Sequence, residues 1–308
     1  MSAPVELDPP ALDPVELTDE VLRRHAPPSP ADDADKEGRG RVLVVAGSAE
    51  VPGAAVLSAI AALRVGAGRL QVATVASIAV PLGLAMIEAR VVGHPETTQG
   101  GIDPGAADAL VSRARHCRAV LIGPGMADEP AACALGAALA TAEDGPPLVL
   151  DAAAMGGVLE LGEALRHRTQ PIVITPHPGE MAHLLKTDLA EVAADPLRVA
   201  KDAAARFGAV VVLKGACTHI ATPRGKAWYH DQGQIGLATS GSGDVLSGLV
   251  AGLLARGADP VSASLWAVRL HRQAGLRLAR KFGPLGYLAR ELLAEIPGAL
   301  CDLTGDAR

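Results

Sequence analysis

Short, almost uninterrupted apolar runs alternate along this chain with longer amphipathic stretches, and most of the runs stop at a glycine or a small polar residue. Arg41 to Ala46 is the first, ending in Gly47-Ser48 and followed by Gly53-Ala54-Ala55 and a helical pattern through about Arg64. Strand, small-residue loop, helix is the opening of a βαβ unit. Further strands are predicted at Arg69 to Thr74, Arg90 to Gly93, Ala119 to Ile122, Pro147 to Leu150, Ile172 to Ile174 and Val210 to Leu213. Helices are predicted between them at Ala106 to Arg115 and near Glu129 to Ala142. Strands apolar on both faces and separated by helices make a parallel sheet covered on both sides. Thr218 to Ala221 and Lys226 to His230, joined by Thr-Pro-Arg-Gly, read as an appended hairpin. The last third is helical, with helices at Val245 to Arg256, Pro260 to Phe282 and Tyr287 to Ala294.

Before the first strand the pattern fails. Residues 1 to about 38 carry proline pairs and the acidic Asp32, Asp33 and Asp35, and are expected to form a flexible, poorly packed arm with at most a short helix at Leu17 to Arg24. Residues 39–308 show no repeat and no linker, and are expected to form one domain. Leu70 to Ile87 has no charged residue, but Gln71, Pro81 and Gly83 favour a buried strand followed by a helix over a membrane span.

Composition narrows the chemistry. Hydrophobic residues are 49% of the 308 but aromatic ones only 2%, so there is little on which to stack bases, and the net charge of −6 opposes nucleic-acid binding. The four scattered cysteines, Cys117, Cys133, Cys217 and Cys301, form no Cys-x-x-Cys and are expected to be reduced. With no basic or apolar leader at the N-terminus, a cytoplasmic location is expected. No Walker loop, dinucleotide fingerprint or Gly-x-Ser-x-Gly elbow is present, and His177 and His183 are spaced wrongly for a zinc helix.

The richest stretch is Gly236 to Gly248. Gly241, Ser242 and Gly243 precede the helical run from Val245, so a small-residue loop feeds a helix start, where unpaired N–H groups and a positive dipole favour an anion. Asp244 falls in the first turn, either as a residue complementing the dipole or as a base beside a bound phosphate. Elsewhere, His177 lies between two prolines after a strand, Lys214 is followed by Gly215 where a strand leaves the sheet, and Glu180 is placed to cap a helix.

These motifs occur in the order and spacing of a known family. Gly47-Ser48, Gly53-Ala54-Ala55, Ile122-Gly123-Pro124-Gly125, Leu150-Asp151-Ala152, Thr175-Pro176-His177-Pro178-Gly179-Glu180, Lys214-Gly215 and Ala238 to Leu246 resemble the ADP-dependent NAD(P)H-hydrate dehydratases, over residues 38 to 300. The resemblance implies a ribokinase-like α/β fold, a three-layer sandwich with a mostly parallel sheet and helices on both faces. It implies Asp244 as base and Gly241, Ser242 and Gly243 as an anion hole. Ala55, Gly125, His177 and Asp244 would contact hydrated NADH or NADPH. Lys214, Gly215, Ala216, Cys217, Thr218 and Gly243 would hold the nucleotide. It further implies ADP or ATP as phosphoryl donor, Mg²⁺ with no ligands assigned, no nucleic-acid or membrane partner, a tetrameric homo-oligomer, and a dehydratase half standing without the epimerase domain often fused to it. Ala55 and Gly125 are equally consistent with helix filling and a turn. The family's Asn-rich approach to the glycine loop reads His230 to Ile235 here, and Ala153 replaces a second acidic residue. Two alternatives keep the same loop: a small-molecule kinase of the hydroxymethylpyrimidine or hydroxyethylthiazole type, and a nucleotide-binding regulator without turnover.

Overall fold

The computed structural model describes residues 13–26, 35–161, 165, 168, 170–231 and 233–305. In chain order the described strands and helices are β1 (Val15–Glu16), α1 (Asp19–Arg24), β2 (Arg41–Val45), α2 (Pro52–Arg64), β3 (Arg69–Val75), α3 (Ala76–Ala85), β4 (Ala89–His94), α4 (Ala107–Ala114), β5 (Ala119–Ile122), α5 (Glu129–Thr141), β6 (Leu148–Leu150), α6 (Gly157–Leu161), β7 (Ile172–Ile174), α7 (Pro178–Leu185), α8 (Leu189–Ala194), α9 (Pro196–Phe207), β8 (Val210–Leu213), β9 (Thr218–Ala221), β10 (Ala227–His230), α10 (Ser242–Ala255), α11 (Pro260–Phe282) and α12 (Ala289–Thr304). All the strands join one sheet in the order β1-β10-β9-β8-β7-β6-β5-β2-β3-β4. Every pairing is parallel except β8 with β9 and β9 with β10.

Two separate cores explain why the strands lack polar positions. Val42 and Val44 of β2 pack with α2, α10, α11 and α12 on one face, while Leu43 and Val45 pack with α4, α5, α7 and α9 on the other. Successive side chains in a strand point to opposite faces, so a sheet covered twice needs apolar residues at every position. The result is the expected three-layer α/β sandwich.

One contact in this packing places the later chemistry. A Cβ on Gly248 would lie 2.2 Å from the Ser58 carbonyl oxygen, and one on Gly252 would lie 2.6 Å from that of Ala62. Glycine at these two positions lets α10 lie backbone to backbone on α2. The start of α10 is thereby pressed against Leu57, whose Cδ1 would be 2.5 Å from a Cβ on Gly241.

The N-terminal expectation needs correcting for residues 13–26. β1 adds a parallel strand to β10, and Leu17 and Leu22 are buried with 3% and 1% exposure. Trp266 Nε1 donates to the His25 carbonyl at 2.9 Å, and Arg269 grips Asp19 with two nitrogens at 3.1 and 2.9 Å. The open edge of β10 and an apolar groove on α11 give this segment partners that local composition did not reveal. The rest of the proline- and acid-rich stretch, 1–12 and 27–34, lies outside the described residues.

Two further elements differ from expectation. α12 runs from Ala289 to Thr304 and passes through Pro297, where a stop near Ala294 was expected. Ile296 and Ala299 are fully buried on either side of the proline, so tertiary burial outweighs its local helix penalty. Leu70 to Ile87 forms a strand followed by a helix as expected, but Val80, Leu84 and Ile87 are 74%, 77% and 81% exposed. No helix among the described residues is long and apolar enough to cross a membrane.

Candidate active site

Parallel neighbours deliver their next residues to a common edge. β6, β7 and β8 lie side by side, and each is followed at once by a polar side chain: Asp151, Thr175 and Lys214. Asp151 is 3% exposed and accepts at Oδ1 from both Thr175 Oγ1 at 2.7 Å and Lys214 Nζ at 3.2 Å. The turn behind Asp151 is tight. Gly123 has φ +124°, and a Cβ there would sit 1.8 Å from the Asp151 carbonyl oxygen, so only glycine fits after β5.

Lys214 also lies 3.7 Å from Glu180 Oε2. Burial on its own would lower the lysine's pKa, but Asp151, Glu180 and Asp244 together hold it above the ordinary value. The ammonium is therefore a fixed positive charge among carboxylates.

Glu180 and His177 cap the same helix reciprocally. His177 Nδ1 accepts from the N–H groups of Gly179 and Glu180 at 3.0 and 3.2 Å, and Glu180 Oε2 accepts from the His177 N–H at 2.7 Å. An Nδ1 that accepts two amide protons leaves the ring proton on Nε2, which lies 3.7 Å from Glu180 Oε1. The capping expected of Glu180 and the site position expected of His177 are thus one arrangement.

The helix start at α10 is where the glycine loop acts. Gly241 is the N-cap with φ +86°, a left-handed conformation that L side chains rarely adopt. Ser242 donates its N–H to the Thr239 carbonyl at 3.2 Å, and Val245 makes the first helical bond, to the Gly241 carbonyl. The N–H groups of Gly241, Gly243 and Asp244 have no partner among the described residues. Of the residues expected to form an anion hole, Gly241 and Gly243 have free backbone N–H groups, as does Asp244, whereas the Ser242 N–H is taken and its hydroxyl lies 2.9 Å from His271 Nε2.

Asp244 stands in this first turn with its carboxyl raised to a pKa of about 6. Burial is the main cause, repulsion from Asp151 and Glu180 adds to it, and Lys214 opposes it. A simple capping carboxylate gains stabilisation from its position and shifts down. This one is poised near neutrality, as proton transfer requires.

A cleft of about 920 Å³ opens beside this centre. Lys214, Gly215, Ala216, Thr218, Ser242, Gly243 and His177 line it, joined from the far side by Leu246, His271 and Arg272. Cys217, Gly241 and Asp244 do not line it. A smaller cavity of about 390 Å³ shares His177 and includes Glu180, Ala152 and Ala153. Ala55 lies in the first turns of α2, and Gly125 packs against Ala54 and Val51 at that helix start. Ala55 is fully buried beneath Gly47, and Gly125, at φ +66°, would place a Cβ 2.6 Å from that of Ala54.

Sequence reasoning missed four contributors. Asp151 and Thr175 were parts of motifs without a role, and the contacts of Asp151 with Thr175 and Lys214 depend on sheet order. His271 and Arg272 sit inside a long helix with no local signal. Among the described residues no group of three or more His, Cys, Asp or Glu is placed to hold a metal ion. The Lys214 ammonium takes the position between Asp151 and Glu180 that a cation would otherwise occupy.

A three-layer α/β sandwich with free backbone N–H groups at a glycine-loop helix start, an ionisable carboxyl in the same turn and a cleft along the strand ends defines a ribokinase-like protein. Within that class the chain belongs to the NAD(P)H-hydrate dehydratase family, whose model matches residues 42–298. It is 48% identical over 279 residues to the ADP-dependent (S)-NAD(P)H-hydrate dehydratase of Xanthomonas campestris, covering 89% of this chain and 93% of that protein. It is 38% identical to the bifunctional NAD(P)H-hydrate repair enzyme of Moorella thermoacetica, matching 86% of this chain but spanning only 50% of that protein. The ADP/ATP-dependent NAD(P)H-hydrate dehydratase of Bacillus subtilis, co-crystallised with ATP and Mg²⁺, superposes with a TM-score of 0.78 at 29% identity, covering 95% of this chain and all of that one.

Proposed function

We propose that this protein dehydrates hydrated NADH or NADPH to the reduced dinucleotide, with ADP as phosphoryl donor and AMP and phosphate as products. The observation that carries this reading is the Asp244 carboxyl, raised to about 6, in the same helical turn as the unpaired N–H groups of Gly243 and Asp244. Hydroxide leaves a carbon poorly and phosphate leaves well. Asp244 accepts the proton of the ring hydroxyl, and that oxygen bonds to the terminal phosphorus of ADP as the bond to the AMP oxygen breaks. Phosphate then departs with the carbon–oxygen electron pair. The adjacent ring carbon gives its proton to solvent, the electron pair of that C–H bond restores the double bond, and Asp244 returns its proton to solvent.

The helix-start N–H groups, the Ser242 hydroxyl and Lys214 surround the group in transfer and offset its charge. Lys214, Gly215, Ala216 and Thr218 line the cleft where the adenosine phosphate rests, with Gly243 opposite. His177 presents Nε2–H to the dinucleotide. Mg²⁺ suits this site as an ion carried on the nucleotide's phosphates, since such ions keep several waters and need few protein ligands. When bound it neutralises phosphate charge. The exposed Val80, Leu84 and Ile87 beside the edge strand β4 support the homo-oligomer implied by family resemblance.

The test is to incubate purified protein with hydrated NADH, Mg²⁺ and either ADP or ATP, and to follow reduced nicotinamide, phosphate and the shortened nucleotide (AMP from ADP, ADP from ATP) together. Release of reduced dinucleotide with free phosphate in equal amounts is expected. A stable phosphate ester as the end product identifies a small-molecule kinase instead, and binding without turnover identifies a regulator.

A further inference from the structure

Ser242 lies between two glycines at the start of α10, yet it is only 4% exposed. Glycine on both sides leaves the backbone free to adopt many conformations, so whatever holds Ser242 sets the direction of the N–H groups beside it. Two hydrogen bonds hold it. One is its own N–H to the Thr239 carbonyl. The other runs from its hydroxyl oxygen to His271 Nε2, 2.9 Å away on α11. α11 is packed along α10 in the same apolar layer, so its position relative to the helix start is rigid. His271 is the one described side chain bonded to the Ser242 hydroxyl, and its ring also lines the cleft.

The ring's charge state follows from where it sits. Burial is the main reason its pKa falls to about 4; a hydrogen bond with the Ser242 backbone opposes the shift, and the Lys214 ammonium adds to it. At neutral pH it is an uncharged imidazole with one donor and one acceptor. If Nε2 carries the proton, it donates to Ser242 Oγ, and the serine's own O–H is left to point at an anion in the cleft. If Nε2 accepts, the O–H is consumed and the cleft loses a donor.

We propose that His271 is a positioning residue for phosphoryl transfer: its Nε2–H donates to Ser242 Oγ, fixing the first turn of α10 and aiming the Ser242 hydroxyl at the phosphoryl group. This rests on the phosphoryl-transfer reading above. His271 neither takes nor gives a proton in the reaction. It acts through Ser242, and a donor that itself accepts a hydrogen bond is polarised and donates more strongly.

The experiment compares wild type, Ser242→Ala, His271→Leu, His271→Gln and the Ser242→Ala/His271→Leu double variant. Turnover, ADP affinity by calorimetry and melting temperature are measured on each. His271→Leu is expected to lower kcat by ~10–100-fold, somewhat less than deletion of a direct oxyanion donor, while ADP affinity stays within about threefold. Glutamine, which keeps an amide donor near the Nε2 position, is expected to restore most of the loss. The double variant is expected to be no slower than Ser242→Ala alone, because two residues acting as one unit are not additive.

Full turnover in folded His271→Leu, or losses that multiply in the double variant, overturns the proposal. ¹⁵N spectroscopy of the wild-type histidines provides a check independent of variant folding: a proton on His271 Nε2 supports the proposal, and a proton on Nδ1 overturns it. Absence of turnover in the wild type overturns the dehydratase reading and this proposal together, whereas normal wild-type turnover with unaffected variants overturns this proposal alone.

Discussion

Lys214 Nζ lies 3.2 Å from Asp151 Oδ1, although 63 residues separate the two in sequence. Thr175 holds the same carboxylate oxygen from the strand between them. The ammonium is thus fixed where its field reaches Asp244, whose pKa it pulls down against burial and the repulsion of Asp151. Replacing Lys214 with methionine removes the one opposing cation among the described residues and leaves the Asp244 pKa higher still. The acid limb of kcat/KM, expected at about pH 6 in the wild type, should move to higher pH in Lys214→Met. The variant also leaves Asp151 buried without its cation, a loss typically costing about 3–5 kcal/mol. An acid limb that stays in place in a folded variant separates Lys214 from the base.

Asp244→Asn tests the base directly. Turnover should fall by ~10²–10⁴, because the amide does not take a proton. ADP affinity should hold or improve, since one negative charge near the phosphates is gone.

Stability should change in the opposite direction. The Asp244 carboxyl is raised from 3.8 to about 6 in the fold, so between those values the native state binds more protons than the unfolded chain. Stability from this group is therefore present at low pH and lost as pH rises through about 6. Asp244→Asn should melt at or above the wild-type temperature at pH 8, with the difference vanishing below about pH 4. A variant that melts lower at pH 8 contradicts the buried, strained carboxyl.

Gly243→Val tests the close approach of backbone to phosphate. A Cβ at this position would already stand 3.4 Å from Lys214 Nζ, and valine adds two methyl groups in the same space. ADP affinity measured by calorimetry should weaken by more than the ~1 kcal/mol expected from helix propensity alone. Unchanged affinity would place the nucleotide elsewhere.

Leu22→Ala probes the N-terminal segment that local composition marked as an arm. Its side chain is 1% exposed in the core beneath α11, so truncation should cost about 2–5 kcal/mol. A melting temperature within a degree of wild type would mean that α1 is not part of the cooperative unit.

The alternation of apolar strands with amphipathic helices was legible in the sequence because a doubly covered parallel sheet demands apolar residues on both faces of each strand, a local rule. The glycine-loop helix start was legible too, because small residues and glycines ahead of an apolar helical run are a local signal. Asp151 beside Lys214, by contrast, required the order of β6, β7 and β8, and local periodicity carries no strand order. His271 reaches Ser242 only because α11 packs along α10, and Leu22 is buried only because β1 finds the free edge of β10. Pro297 is locally a helix breaker, yet burial of Ile296 and Ala299 keeps α12 intact across it. The poised carboxyl of Asp244 belongs to this second group: its place in a first turn is a property of the sequence, but its pKa is set by desolvation and by charges from distant strands, which exist only after the sheet has assembled.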